Sequence, residues 1–173
     1  MKSPYSFIVR PVGGKRYINE KKIGGMDFIV NTSEENHKAS NRMAEVIEVP
    51  IGYGGEVKKG DTLLVHHNVF KFYNDMYGRK KSGKSFLKDD LFLVDPDQFF
   101  MYKRKDEWMA YDKYCFIKPI KKKAKSIDIN DKEEPLMGQM VYPVAYKPNC
   151  NYEFDVDGQR LYRLFDHQIT IVL

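Results

Sequence analysis

Residues 78–85 read GRKKSGKS, which fits the phosphate-loop pattern G-x-x-x-x-G-K-[ST] letter for letter. In that chemistry Lys84 would reach the phosphates and Ser85 a magnesium ion, and LFLVD (91–95) would supply an apolar strand ending in the second magnesium ligand. The chemistry also requires a helix directly after the glycine-rich turn, so that its N-terminal N–H groups converge on the phosphates. Here the following residues are FLKDDLFLVDPDQFFMY, which alternate and branch as strands do. The gap before LFLVD cannot hold a helix and crossover, which take about 10–12 residues or more. Lys80 and Lys81 would also crowd charge into a loop that works by close backbone approach. The segment is therefore expected to be a flexible basic loop between two strands, binding no nucleotide.

Other constellations carry no more chemistry. His66 and His67 are adjacent in a predicted strand, so their side chains should point to opposite faces and cannot share a metal. Asp95 and Asp97 flank Pro96, which reads as an exposed turn. Cys115 and Cys150 have no histidine near them in sequence and read as buried apolar residues, not nucleophiles. No Ser/His/Asp arrangement is visible. The expectation is a non-enzyme without cofactor or metal.

The chain that must position these residues has 173 of them, enough for one or two small domains. Hydrophobic residues make up 42%, including 12 Tyr and 11 Phe, which suffices for a packed core. Twenty-nine Lys and Arg against 24 Asp and Glu give +5, a mild basic balance mostly suited to a solvated surface. Two cysteines are too few for a disulfide scaffold and fit a reducing compartment. No signal-like or membrane-spanning apolar run is present, so a cytoplasmic protein is expected.

The apolar runs are short and rich in β-branched and aromatic residues: SFIVR (6–10), AEVIEV (44–49), TLLVH (62–66), LFLV (91–94), QFFMY (98–102), YCFIK (114–118), QMVY (139–142), YEFDV (152–156), RLYRLF (160–165) and QITIVL (168–173). This spacing predicts an all-β protein with few helices. Asp157-Gly158 predicts a two-residue hairpin that sets Val156 opposite Gln159, Asp155 opposite Arg160 and Phe154 opposite Leu161. The long stretch 13–41, the basic loop 73–84 and the mixed-charge run 121–135 read as connections, the first two as mobile. A composition shift near 103–111 suggests a boundary between two β units. FIVRPV (7–12) is echoed by FIKPI (116–120), and AEVIEVP (44–50) by GQMVYP (138–143). Duplication and chance likeness of short strands both account for this.

Five segments in order resemble the GroES-type co-chaperonins of the chaperonin-10 family. FIVRPV is similar to the family's opening strand, and KKIGGMDFIVN (21–31) to its mobile loop, where paired glycines precede an apolar patch. KASNRMAEVIEVP (38–50) resembles the segment that re-enters the barrel. VKKGDTLLVHHN (57–68) resembles the K-x-G-D turn and the strand after it, and FLKDDLFLVDPDQFFMY (86–102) the closing strand pair. The HHNVF wording and the basic insertion resemble bacteriophage-encoded members, which would make this a viral protein acting in the host cytoplasm.

The resemblance implies a small β-barrel over 1–102 with a mobile loop at about 13–41, and a C-terminal β extension over 103–173 that could be a degenerate second copy. It also implies a homo-oligomer, heptameric in the family, that caps a GroEL-type chaperonin and assists protein folding. The binding loop would be Ile23, Gly24, Gly25, Met26, Asp27, Phe28, Ile29 and Val30. A loop of weak apolar anchors suits a lid that must come off, because a ring restores avidity through effective concentration. The alternative for MDFIV is one more barrel strand. Three departures stand against the family pattern: Asp27 interrupts the apolar patch, Pro50–Val57 is too short for the roofing hairpin, and the extension is additional. They keep open a structural β-barrel subunit, for instance of a virus particle. A nucleic-acid-binding barrel is a further alternative, though nucleic acid is not the expected partner; it requires aromatics exposed on a basic groove. Residues too apolar to leave in water, among them Phe116, Ile117, Met140, Val141, Phe154, Leu161, Leu164, Ile169 and Ile171, predict that the extension packs as its own β unit.

Overall fold

The computed structural model describes residues 1–18, 20–29, 39–118 and 153–168. The chain divides into two compact units, Met1–Asp112 and Lys113–Leu173. The first holds β1 (Phe7–Pro11), β2 (Glu20–Ile23), β3 (Met26–Ile29), β4 (Met43–Glu48), β5 (Thr62–Val65), β6 (Phe72–Asn74), β7 (Lys80–Ser82), β8 (Phe86–Lys88), β9 (Leu91–Val94), β10 (Phe99–Arg104) and β11 (Glu107–Ala110). The second holds β12 (Tyr114–Ile117), β13 (Glu153–Val156) and β14 (Gln159–Phe165). The protein is all-β, as the short β-branched runs predict.

Seven strands of the first unit form one antiparallel sheet in the order β11-β10-β5-β4-β1-β9-β8. Period-two alternation turns Phe7, Val9, Ala44, Val46, Leu63, Val65, Phe92, Val94 and Phe99 into a single core. Three strand spacings separate β10 from β1, about 14 Å in a flat sheet. Yet the Phe99 and Phe7 rings meet edge-to-face at 5.4 Å. The sheet is therefore strongly curled, helped by register breaks between Ile8 and Val9 and between Phe99 and Met101. It is not a closed barrel: β8 and β11 are its edges, and no ladder joins them among the described residues.

The first unit runs past Tyr102 because β10 continues to Arg104 and pairs with β11, Lys103 facing Trp108. The connection Pro50–Val57 contains no strand. It folds down instead, with the Tyr53 ring 4.9 Å from Phe7. At the K-x-G-D turn Gly60 takes φ +89°, and its N–H donates to Val46 O at 2.8 Å. The Asp61 carboxylate accepts the Lys58 N–H at 2.7 Å and both Nε and Nη2 of Arg104, at 3.0 and 2.6 Å. This buried carboxylate ties the turn to β10.

In the second unit β14 lies between β12 and β13. The Asp157-Gly158 hairpin has the register read from sequence, with Phe154 facing Leu161 and Asp155 facing Arg160. Both turn residues have positive φ, 48° and 74°, as a two-residue hairpin needs. The segments 121–135 and 138–143 lie outside the described residues, as do residues 169–173 of the last predicted strand, and with them Met140, Val141, Cys150, Ile169 and Ile171.

Candidate partner-binding hairpin

Between β1 and β4 the chain leaves the sheet through a fastened neck. Tyr17 bridges Ser40, Ile18 N–H donates to Ala39 O at 2.7 Å, and Asn41 N–H donates to Arg16 O at 2.9 Å. Asn41 is buried, and its amide makes three hydrogen bonds: Nδ2 donates to the carbonyls of Val12 and Lys15 at 2.9 and 2.7 Å, while Oδ1 accepts the Met43 N–H at 2.9 Å. Arg16 donates to Ser82 Oγ at 2.8 Å. Its guanidinium also lies 4.2, 4.7 and 5.0 Å from the Phe72, Phe92 and Phe86 ring centres. Burial lowers the Arg16 pKa from its ordinary value, the expected result for a cation among rings.

Beyond the neck, the sequence reading expects an unstructured loop. The described part is instead a β-hairpin, β2 pairing with β3 in a two-stranded sheet of its own. Glycines 24 and 25 form its two-residue turn with φ +60° and +85°, dihedrals that favour glycine at both positions. MDFI is therefore a strand, but not one of the seven-stranded sheet. Ile23 ends β2, and Met26, Asp27, Phe28 and Ile29 make up β3; Val30 lies outside the described residues. Met26 is 64% exposed, Phe28 45% and Ile29 73%. Alternation puts Met26 and Phe28 on one face of the ribbon and Ile29 on the other. The backbone register sets Lys22 across from Asp27.

The neck and the Arg16 cage are not legible in the sequence. Asn41 ends a uniformly polar run, and Arg16 sits in a loop with no periodicity. The hairpin did carry a signal, since Gly-Gly between EKKI and MDFI is a two-residue turn sequence.

The phosphate-loop letters take a different structure. Lys80–Ser82 is strand β7, the Gly83 N–H donates to Lys71 O at 3.0 Å, and Phe86 N–H donates to Gly83 O at 3.1 Å. These amides serve turns, and β8 follows where a helix would be required. The expected flexible loop is thus a β6–β7 hairpin. His66 and His67 also depart from the expectation of opposite faces: their ring centres are 4.2 Å apart. Strand β5 ends at Val65 and the chain turns, with Val69 N–H bonded to His66 O, so strand alternation no longer applies. His66 Nδ1 accepts the Asn68 N–H at 3.2 Å. No metal-ligating cluster exists among the described residues. Pro96–Gln98 is a single 3₁₀ turn capped by Asp95, which accepts the Ser6 hydroxyl at 2.6 Å. Cys115 is half-buried, and desolvation pushes its thiol pKa up. No described helix is long and apolar enough to cross a membrane. No family model matches the chain, nor does any curated protein or solved structure.

Proposed function

We propose that this protein is a co-chaperonin that assembles as a ring, heptameric as the resemblance implies, and caps a GroEL-type chaperonin through the β2–β3 hairpin. The observation that carries the reading is the exposure of Met26, Phe28 and Ile29 on a ribbon held outside the main core. Three large apolar side chains in water are unfavourable for the free protomer and gain on entering a groove. The neck fastens the base of the excursion at Tyr17 and Ser40. The short, inward-folded Pro50–Val57 connection supports a ring open at its top.

The test is Phe28→Ala. Phe28 leaves about half its surface to bury in a groove, so its loss should cost roughly half of ~1.5–3 kcal/mol per protomer. Repeated around a ring, that small cost should abolish capping while the thermal midpoint of the free chain stays unchanged. Capping that survives, or a destabilised free chain, would refute the assignment.

A further inference from the structure

A second exposed hairpin lies elsewhere on the first unit. Residues 71–84 carry Lys71, Arg79, Lys80, Lys81 and Lys84 against Asp75, a net +4 in a chain whose total is +5. The tip is rigid. The Asp75 carboxylate accepts the Tyr77 and Arg79 N–H groups, each at 2.9 Å, and the Asp75 and Arg79 backbones bond at 3.0 Å. This turn holds Met76 90% exposed and Tyr77 77% exposed, with the Arg79 guanidinium 5.7 Å from the Tyr77 ring centre. Phe72 faces inward to Arg16 and Tyr17. Its neighbour Tyr73 therefore lies on the opposite face and is half exposed. Tyr73 also lines a groove of about 340 Å³ with His66, Val69, Lys71, Phe72 and Lys84.

We infer that the β6–β7 hairpin and this groove bind single-stranded nucleic acid. Cations can track a phosphate backbone, and exposed aromatic faces can stack on unpaired bases. Duplex DNA would leave those ring faces unused. An acidic protein is the competing occupant, but its carboxylates offer no π-face for the exposed Tyr73 and Tyr77 rings to stack on. This groove combines apolar walls from Val69 and Phe72 with the Asn68 and Gln98 amides, the His66 imidazole and the Lys71 and Lys84 ammonium groups, a lining that suits a base as well as a phosphate. The Asp75-braced turn presents Tyr77 in a fixed geometry, which lowers the ordering cost of binding.

The test is fluorescence anisotropy of the full-length protein with a labelled oligothymidylate of about 20 nucleotides, long enough to span a site of roughly 4–16. Binding should weaken with salt, with a log–log slope near −0.7 for each phosphate neutralised. Lys84→Gln and Arg79→Gln should each reduce that slope by about 0.7. Tyr73→Ala and Tyr77→Ala should weaken binding by roughly tenfold or more while leaving the salt slope unchanged. Thermal midpoints of all four variants should match the parent. Absence of binding at low salt overturns the inference, as does binding indifferent to both tyrosines. So does capture of a polyglutamate peptide in preference to the oligonucleotide.

Discussion

Replacing Gly24 and Gly25 by alanine should open the β2–β3 hairpin without touching the core. A Cβ added at either position meets nothing within 4 Å, so no steric clash accompanies the change. The whole effect comes from the backbone, which stands at φ +60° and +85°. A left-handed conformation costs an L-residue roughly 1–2 kcal/mol, so the pair should lose about 2–4 kcal/mol. A two-stranded ribbon is marginal in water, and about 1.4 kcal/mol is a factor of ten in its population. Amide exchange across Glu20–Ile29 should therefore rise by at least tenfold, while Phe7, Val46 and Leu63 amides stay protected. Gly24→Asn is the control, since Asn-Gly is a favoured turn of this type and should keep the ribbon. If the double alanine variant retains full hairpin protection, the glycines are not what shapes the ribbon.

Two further outcomes follow from the first unit. Burial raises the Asp61 pKa, but the hydrogen bonds from Arg104 and the Lys58 N–H outweigh it, so the folded value lies below the ordinary 3.8. A depressed carboxylate stabilises the fold above its unfolded pKa and loses that contribution as pH falls through the folded value. Asp61→Asn should thus lower the thermal midpoint at neutral pH, and the gap from the parent should close below about pH 4; a pH-independent gap would contradict this. A chain ending at Asp112 should fold as the first unit, whereas one ending at Tyr102 loses β11 and the Arg104–Asp61 contact and should aggregate. Circular dichroism and gel filtration of the two truncations distinguish these outcomes.

What was legible follows from where the chain obeys a local rule. The Asp157-Gly158 hairpin could be read to the residue, because turn chemistry alone fixes its register. LFLV and TLLV announced themselves through β-branched and aromatic content. Strands β6, β7 and β11 did not, because FYN, KKS and EWMA are short, polar or mixed. They are held by the side-chain-braced Asp75 turn, by the long-range Arg16 cage and by the continuation of β10 through a two-residue turn at Lys105-Asp106. Closure of the sheet was equally invisible: strand content is local, but whether β8 meets β11 depends on curl and register breaks across the whole sheet. At the candidate site, the apolar residues were found from their type, while their exposure and pairing required the fold.

The proposed function makes β3 the strand that a chaperonin would grip. Native mass spectrometry of the full chain with a GroEL-type chaperonin and ATP, followed by hydrogen exchange on the same complex, tests it most directly. The expected result is a nucleotide-dependent complex carrying one ring of protomers, with added protection centred on Met26–Ile29. Absence of the complex, or a complex whose protection falls elsewhere and leaves Met26–Ile29 unchanged, would contradict it.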